Sequence, residues 1–338
     1  PQRTPEAVRE RIVALRTELT AAGLDAGPLT IAWHLEREGL HVPSSSTIRR
    51  VLHAAGLVTP EPHKRPRSAW RRFEADAPNE LWQSDMTHWR LADGTEVEIC
   101  SWLDDHSRYL LGCTAFRHVD GDDVVATFCA AGETHGWPAA TLTDNGAIFT
   151  SRFTGGHNAF EHLLAFLGIQ QRNGSPNHPQ TQGKIERFHQ TLKRWLGQQP
   201  AARTLAELQA RLDAFRLAYD EERPHRAIGR RTPGEAYRAR PKARPAGPRA
   251  QGHLRLRYDT VDKAGAMTLR QAGRLHHLGI GAAHRGHRVL AIVDEHEVTV
   301  VALETGEVLS SHRIEPDRND WRNQRRNPGR WPGFRATG

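Results

Sequence analysis

The sequence predicts an α/β core with a mixed sheet, set between a helical N-terminal part and a small all-β C-terminal part. Three observations predict it: apolar residues at helical spacing before residue 58, a switch at Leu81 to strand periodicity followed by alternating helical and strand patterns, and short strand patterns with Gly-rich turns after residue 252. At 338 residues the chain is long enough for two or three domains.

Thr4 is placed to cap a first helix, with Pro5 at its first position and Val8, Ile12, Leu15 and Leu19 as the inward stripe. A second helix runs through Ile31, Ala32 and Leu35 to a stop at Gly39. Ser44 caps a third, which turns Ile48, Val51, Leu52 and Ala55 inward and Ser46, Arg49, Arg50 and His53 outward. The last two helices read as a helix-turn-helix, and the four outward residues as DNA contacts; a plain helical spacer is the blander alternative.

From Leu81 the patterns are strands at 81–91, 95–104 and 108–116, a helix at 121–135, a strand from Ala139 to Thr143, a helix from Phe160 to Leu167, a strand at 169–173 and a helix from Gln182 to Leu196. This βββαβαβα order is that of the ribonuclease H-like fold, with a mixed five-stranded sheet. Thr204 and Glu207 predict a capping box for a further helix with Leu205, Leu208, Leu212 and Phe215 buried. Strand patterns at 254–258, 274–278, 288–293, 297–303 and 308–314 predict a small β-barrel. The resulting division is a helix-turn-helix domain at 1–58, a basic linker at 59–78, the catalytic core at 79–240, a second basic linker at 241–251, the barrel at 252–315 and a basic disordered tail at 316–338.

Lys and Arg number 47 against 39 Asp and Glu, a formal charge of +8. Where the charge sits matters more. Lys64, Arg65, Arg67, Arg71 and Arg72 precede the core; Arg238, Arg240, Lys242, Arg244, Arg249, Arg255 and Arg257 follow it in a stretch without acids; Arg322, Arg325, Arg326, Arg330 and Arg335 lie in the tail. Any one run alone reads as a solvated linker, but three runs at domain joints favour a phosphate backbone as partner. No stretch is apolar enough for a membrane span or a secretory signal, which predicts a cytoplasmic, nucleoid-associated protein with no membrane partner. Cys100, Cys113 and Cys129 are widely spaced and read as reduced core residues; the 20 His residues show no zinc-ligand spacing.

Cutting and joining phosphodiesters calls for two hard cations held by convergent carboxylates. Asp85 lies mid-strand in Leu-Trp-Gln-Ser-Asp-Met-Thr (81–87). Asp144 ends a strand and precedes Asn145-Gly146, while Glu186 sits on the last core helix, off its apolar stripe and on a polar face with Gln182, His189 and Lys193. Singly, Asp144 and Glu186 read as exposed or capping acids. Together the three suit two Mg²⁺ or Mn²⁺ ions. Lys184 and Lys193 flank Glu186 and could grip phosphates, as could Arg244 and Arg255; Asp104 and Asp105 read as turn residues.

The blocks 81–87, Leu-Thr-Asp-Asn-Gly (142–146) and His-Pro-Gln-Thr-Gln-Gly-Lys-Ile-Glu-Arg-Phe-His-Gln-Thr-Leu-Lys (178–193) resemble those of the integrase-core DDE transposases of bacterial insertion sequences. Arg223-Pro224-His225-Arg226-Ala227 and Arg231-Thr232-Pro233 through Tyr237 match the segment that closes such cores. The likeness spans about residues 4–240 and is nearest to the insertion sequence 481 group, related to the insertion sequence 3 group and to retroviral integrases. It implies that Asp85, Asp144 and Glu186 bind the metals, that 3′ ends are released by hydrolysis, and that these ends attack target DNA without a covalent protein–DNA intermediate. The forty-one residues between Asp144 and Glu186 exceed the family's usual spacing, the surplus falling at 151–158. Terminal inverted repeats and target DNA are the implied partners, and a homo-multimer the implied working form. The start at Pro1 is compatible with a missing upstream segment. Two other function classes fit the residues taken alone: a non-catalytic helix-turn-helix regulator and a nuclease of the same fold without strand transfer.

Overall fold

Helical spacing of apolar side chains gives the first three elements of the computed structural model, which describes residues 4–58, 74–144, 149–150, 159–173, 183–246, 255–271, 273–303 and 307–324. Helices α1 (Glu6–Ala21), α2 (Pro28–Arg37) and α3 (Ser45–Ala54) bury Ile12, Leu15, Ile31, Leu35, Ile48 and Leu52 in one cluster. Ser44 caps α3, its hydroxyl accepting from Thr47 N at 3.2 Å. The expected Thr4 cap is corrected: Pro5 occupies the cap position of α1, and no side chain accepts from the first turn. Ala55, expected inward, is exposed beyond the end of α3.

The chain divides into two compact units, Pro1–His118 with Ser175–Ala243, and Val119–Gly174 with Arg244–Gly338. In the first, strands β1 (Leu81–Arg90), β2 (Glu96–Asp104) and β3 (Leu110–Phe116) form an antiparallel meander, with Asp85 opposite Ser101. In the second, α4 (Gly121–His135) leads to β4 (Ala140–Thr143), α5 (Ala159–Leu167) and β5 (Gln170–Asn173), and β4 pairs parallel with β5. The sheet order is β3-β2-β1-β4-β5, the mixed five-stranded sheet expected of the sequence.

Within the first unit, α6 (Gly183–Leu196) and α7 (Leu205–Leu217) cover the meander through Ile185, Phe188, Leu192, Leu208, Leu212 and Phe215. Half of the expected capping box forms at α7. Thr204 accepts from Glu207 N, but the Glu207 carboxylate turns to Arg203, taking its backbone N–H and its guanidinium. A π-helical turn at Ala218–Glu222 and a 3₁₀ turn at Arg226–Ile228 lead to α8 (Pro233–Arg238), whose Thr232–Glu235 capping box is complete.

In the second unit, β6 (Arg255–Thr260), β9 (Arg288–Val293), β10 (Glu297–Ala302) and β11 (Val308–Arg313) form a four-stranded sheet. A three-stranded sheet of β7 (Ala266–Gln271), β8 (Arg274–Gly279) and β12 (Asp320–Trp321) shares its core, built on Met267, Leu269, Leu278, Val289, Val298 and Trp321. Two expectations are corrected. Residues 266–271 form a strand that the pattern missed, and the start of the supposed disordered tail is ordered: Trp321 is buried and β12 pairs parallel with β8. The basic residues at 64–72, Arg249, Arg325 and those after it, and the surplus segment 151–158 lie outside the described residues.

Candidate active site

The first four residues of β1, Leu81 to Ser84, are buried on both faces, and Asp85 follows half-buried, its Oδ1 accepting from Met86 N at 2.8 Å. The helix α6 packs on β1 and carries Glu186 exposed in its first turn. His189, one turn further on, is buried, with its Nδ1 3.7 Å from Asp85 Oδ2. This corrects the uniform polar face expected of α6. Glu186 and Lys193 face solvent while His189 turns inward. Gln182 lies outside the described residues.

Burial, and after it the charge of Lys193, hold the His189 imidazole at a pKa of about 4. The ring is therefore neutral near pH 7 and does not cancel the charge of Asp85. Its distance from Asp85 is too long for a hydrogen bond. Glu186 makes no ion pair with another described residue. Both carboxylates offer hard oxygen donors, a donor set that suits Mg²⁺ or Mn²⁺. Asp144 stands at the carboxyl end of β4, half-buried, and belongs to the second compact unit. Among the described residues no three His, Cys, Asp or Glu side chains gather in a metal-holding group.

Of the expected DNA contacts, Ser46, Arg49, Arg50 and His53 are exposed on α3, and Lys193 and Arg244 are exposed as well. Arg255 is exposed on β6, with its guanidinium donating to Arg270 O at 2.7 Å. Lys184 has an internal partner: its ammonium lies 2.6 Å and 2.5 Å from the two oxygens of the buried Asp105. Sequence reasoning placed His189 on the polar face of α6, three residues after Glu186, but not its burial beside Asp85. Nothing in the turn signal at Asp104-Asp105 foretold that both would be fully buried. Cys100, Cys113 and Cys129 are buried thiols that form no disulfide, as the spacing suggested.

An α/β core with carboxylates at a mid-strand position, a strand end and a helix face defines a class, and comparison with known proteins specifies it. Two family profiles described as "Integrase core domain" match residues 75–179 and 167–233. The chain is 28% identical over 204 residues to an uncharacterized 31.7 kDa protein of insertion element IS407 from Burkholderia multivorans, covering 60% of this chain and 71% of that protein. It is 27% identical over 172 residues to the transposase for insertion sequence element IS904 from Lactococcus lactis, covering 50% of this chain and 65% of that protein. The HTLV-2 integrase catalytic core domain, solved in complex with magnesium, covers 48% of this chain and 99% of its own at 18% identity. The TM-score is 0.39. Residues 75–233 carry an integrase core domain, and the insertion-element relatives support a DDE integrase-core transposase of insertion sequences. The matched region spans less than two thirds of the IS904 transposase.

Proposed function

We propose that this transposase releases the 3′ ends of its element and joins them to target DNA, with Asp85, Asp144 and Glu186 as the metal-holding triad. One observation carries the reading: the integrase-core matches run from 75 to 233 and contain all three acids within the three motif blocks. Two Mg²⁺ or Mn²⁺ ions held there would lower the pKa of the attacking hydroxyl or water and stabilise the leaving oxygen.

The flanking parts hold the DNA. In this reading α2 and α3 are a helix-turn-helix that sets Ser46, Arg49, Arg50 and His53 on the terminal inverted repeats, and the two sheets of the C-terminal part form a small barrel that adds Arg244 and Arg255 to the phosphate contacts. Linkers at 59–78 and 241–251 join these domains to the core at 79–240, and the insertion sequence 481 group is the subgroup assigned. One triad processes one end at a time, whereas an insertion joins two ends, so the working form is a homo-multimer on DNA. The setting is the bacterial nucleoid. Among the described residues no helix is long and apolar enough to cross a membrane.

Incubating the purified protein with labelled DNA from the ends of its element, with target DNA and Mn²⁺, tests this. Joined products support a transposase. Cleavage without joining would make it a nuclease, and binding without cleavage a regulator.

A further inference from the structure

A single buried carboxylate ties together the strand and the helix that carry two of the proposed metal ligands. Asp105 is fully buried in the turn after β2. Its Oδ1 accepts from Gln83 Nε2 at 2.6 Å and from Lys184 Nζ at 2.6 Å; its Oδ2 accepts from Lys184 Nζ at 2.5 Å and from Ala75 N at 2.8 Å. Gln83 stands two residues before Asp85 on β1, hence on the same face of the strand. Lys184 stands two residues before Glu186, in the first turn of α6.

The turn that presents Asp105 is itself held from several sides. Asp105 N donates to Leu81 O at 2.9 Å. Its neighbour Asp104 accepts from Asn79 N at 2.7 Å, Ser107 N at 2.8 Å and the Ser107 hydroxyl at 2.6 Å. Arg108 closes the turn in the left-handed region at φ 66. Asp105 is thus a fixed point, and both arms it holds are set relative to it.

A buried ion pair loses hydration that two apolar side chains would not, so stability alone is a poor reason for its presence. Its directional bonds do what apolar packing cannot: they fix the rotation of α6 about its axis and its position along β1. An α-helix turns about 100° per residue, so pinning Lys184 inward sets Glu186 on the opposite, open side. We propose that Asp105, acting through Gln83 and Lys184, is a positioning residue that sets the spacing and orientation of Asp85 and Glu186 for metal binding. This rests on the triad reading above.

The test uses the full-length protein bound to a duplex of its element's end, with Mn²⁺ binding followed by loss of the free-ion electron paramagnetic resonance signal and cleavage followed against Mn²⁺ concentration. Asp105→Asn combined with Lys184→Met neutralises both partners together; Gln83→Met breaks only the strand arm. The double variant should bind DNA as the wild type does, while its half-saturating Mn²⁺ concentration rises about 10- to 100-fold, the usual effect of losing a residue that orients a metal ligand. Added Mn²⁺ should restore part of the cleavage. Gln83→Met should shift the same way by less, and decides the matter if the double variant fails to fold. Wild-type Mn²⁺ dependence in either folded variant overturns the proposal. Glu186→Gln separates the two layers: if it binds Mn²⁺ as the wild type does, the triad reading is what has failed.

Discussion

Gly23 approaches Trp195 so closely that a Cβ on it would lie 2.8 Å from the Trp195 Cα. The glycine also holds φ at +73, in the left-handed region. Next to it, Leu24 packs against both the N-terminal helical cluster and the cluster under the meander. Gly23→Ala should therefore destabilise the protein by about 2 kcal/mol or more, since the methyl meets backbone and the conformation itself costs about 1–2 kcal/mol for a residue with a Cβ. Urea unfolding measures it. A change of a few tenths would mean that this contact does not hold the helices to α6.

Asp25 continues the same turn and accepts from two guanidiniums, Arg194 Nη1 at 2.9 Å and Nη2 of the buried Arg223. The two pairs should differ in worth. Arg194→Ala removes an exposed partner and should cost under about 1 kcal/mol. Asp25→Ala leaves the buried Arg223 guanidinium without its partner and should cost about 1–3 kcal/mol. Equal losses in thermal melts would contradict this ranking.

His225 Nδ1 accepts from Ala227 N, which requires the neutral ring. Burial, then Arg223, hold its pKa at about 3. The unfolded chain takes up this proton below its ordinary value near 6.5 and the folded chain does not, so stability is complete above pH 6.5 and declines as pH falls towards 3. At pH 5 the loss from this residue should be about 1–2 kcal/mol. His225→Asn keeps an acceptor without the titration, and its melting temperature should fall less between pH 7 and pH 5 than that of the wild type.

The helices and sheets were legible in the sequence where periodicity was strong. The span of α4 was read as it stands, and the strands and helices of the core fell within two residues of their observed ends. Misses came where tertiary context overruled local pattern. Ala266–Gln271 contains Thr268, Arg270 and Gln271 among its apolar residues and reads as loop until β8 pairs with it. Trp321 sits in an Arg-rich stretch, and only its packing against His276, with ring centroids 4.3 Å apart, reveals order there. At the candidate site only Asp85 stood out by itself, as a polar group mid-strand; Asp144 and Glu186 were proposed through the motif blocks around them. The partners of Lys184 were not, since Asp105 lies 79 residues away in sequence and no local rule links them.

The exposed face of α3 carries a prediction about recognition. Arg49→Ala and Arg50→Ala should weaken binding to the element's ends more than binding to random DNA if α3 reads base edges. Affinity for either DNA should fall with salt, with a slope of about −0.9 per phosphate neutralised. Gel-shift titrations over a salt series measure both. Equal losses on both DNAs would limit α3 to backbone contact, and a slope near zero would remove the basic runs from the interface.

The triad is tested most directly by Mn²⁺-dependent cleavage of labelled element ends by four full-length proteins: wild type, Asp85→Asn, Asp144→Asn and Glu186→Gln. DNA binding is measured on the same samples. Each substitution removes one charge from the proposed metal site at nearly constant volume. Wild type should release the 3′ ends, and each variant should bind the duplex as tightly while releasing none. Cleavage at the wild-type rate by any one of the three variants would contradict the assignment of that acid.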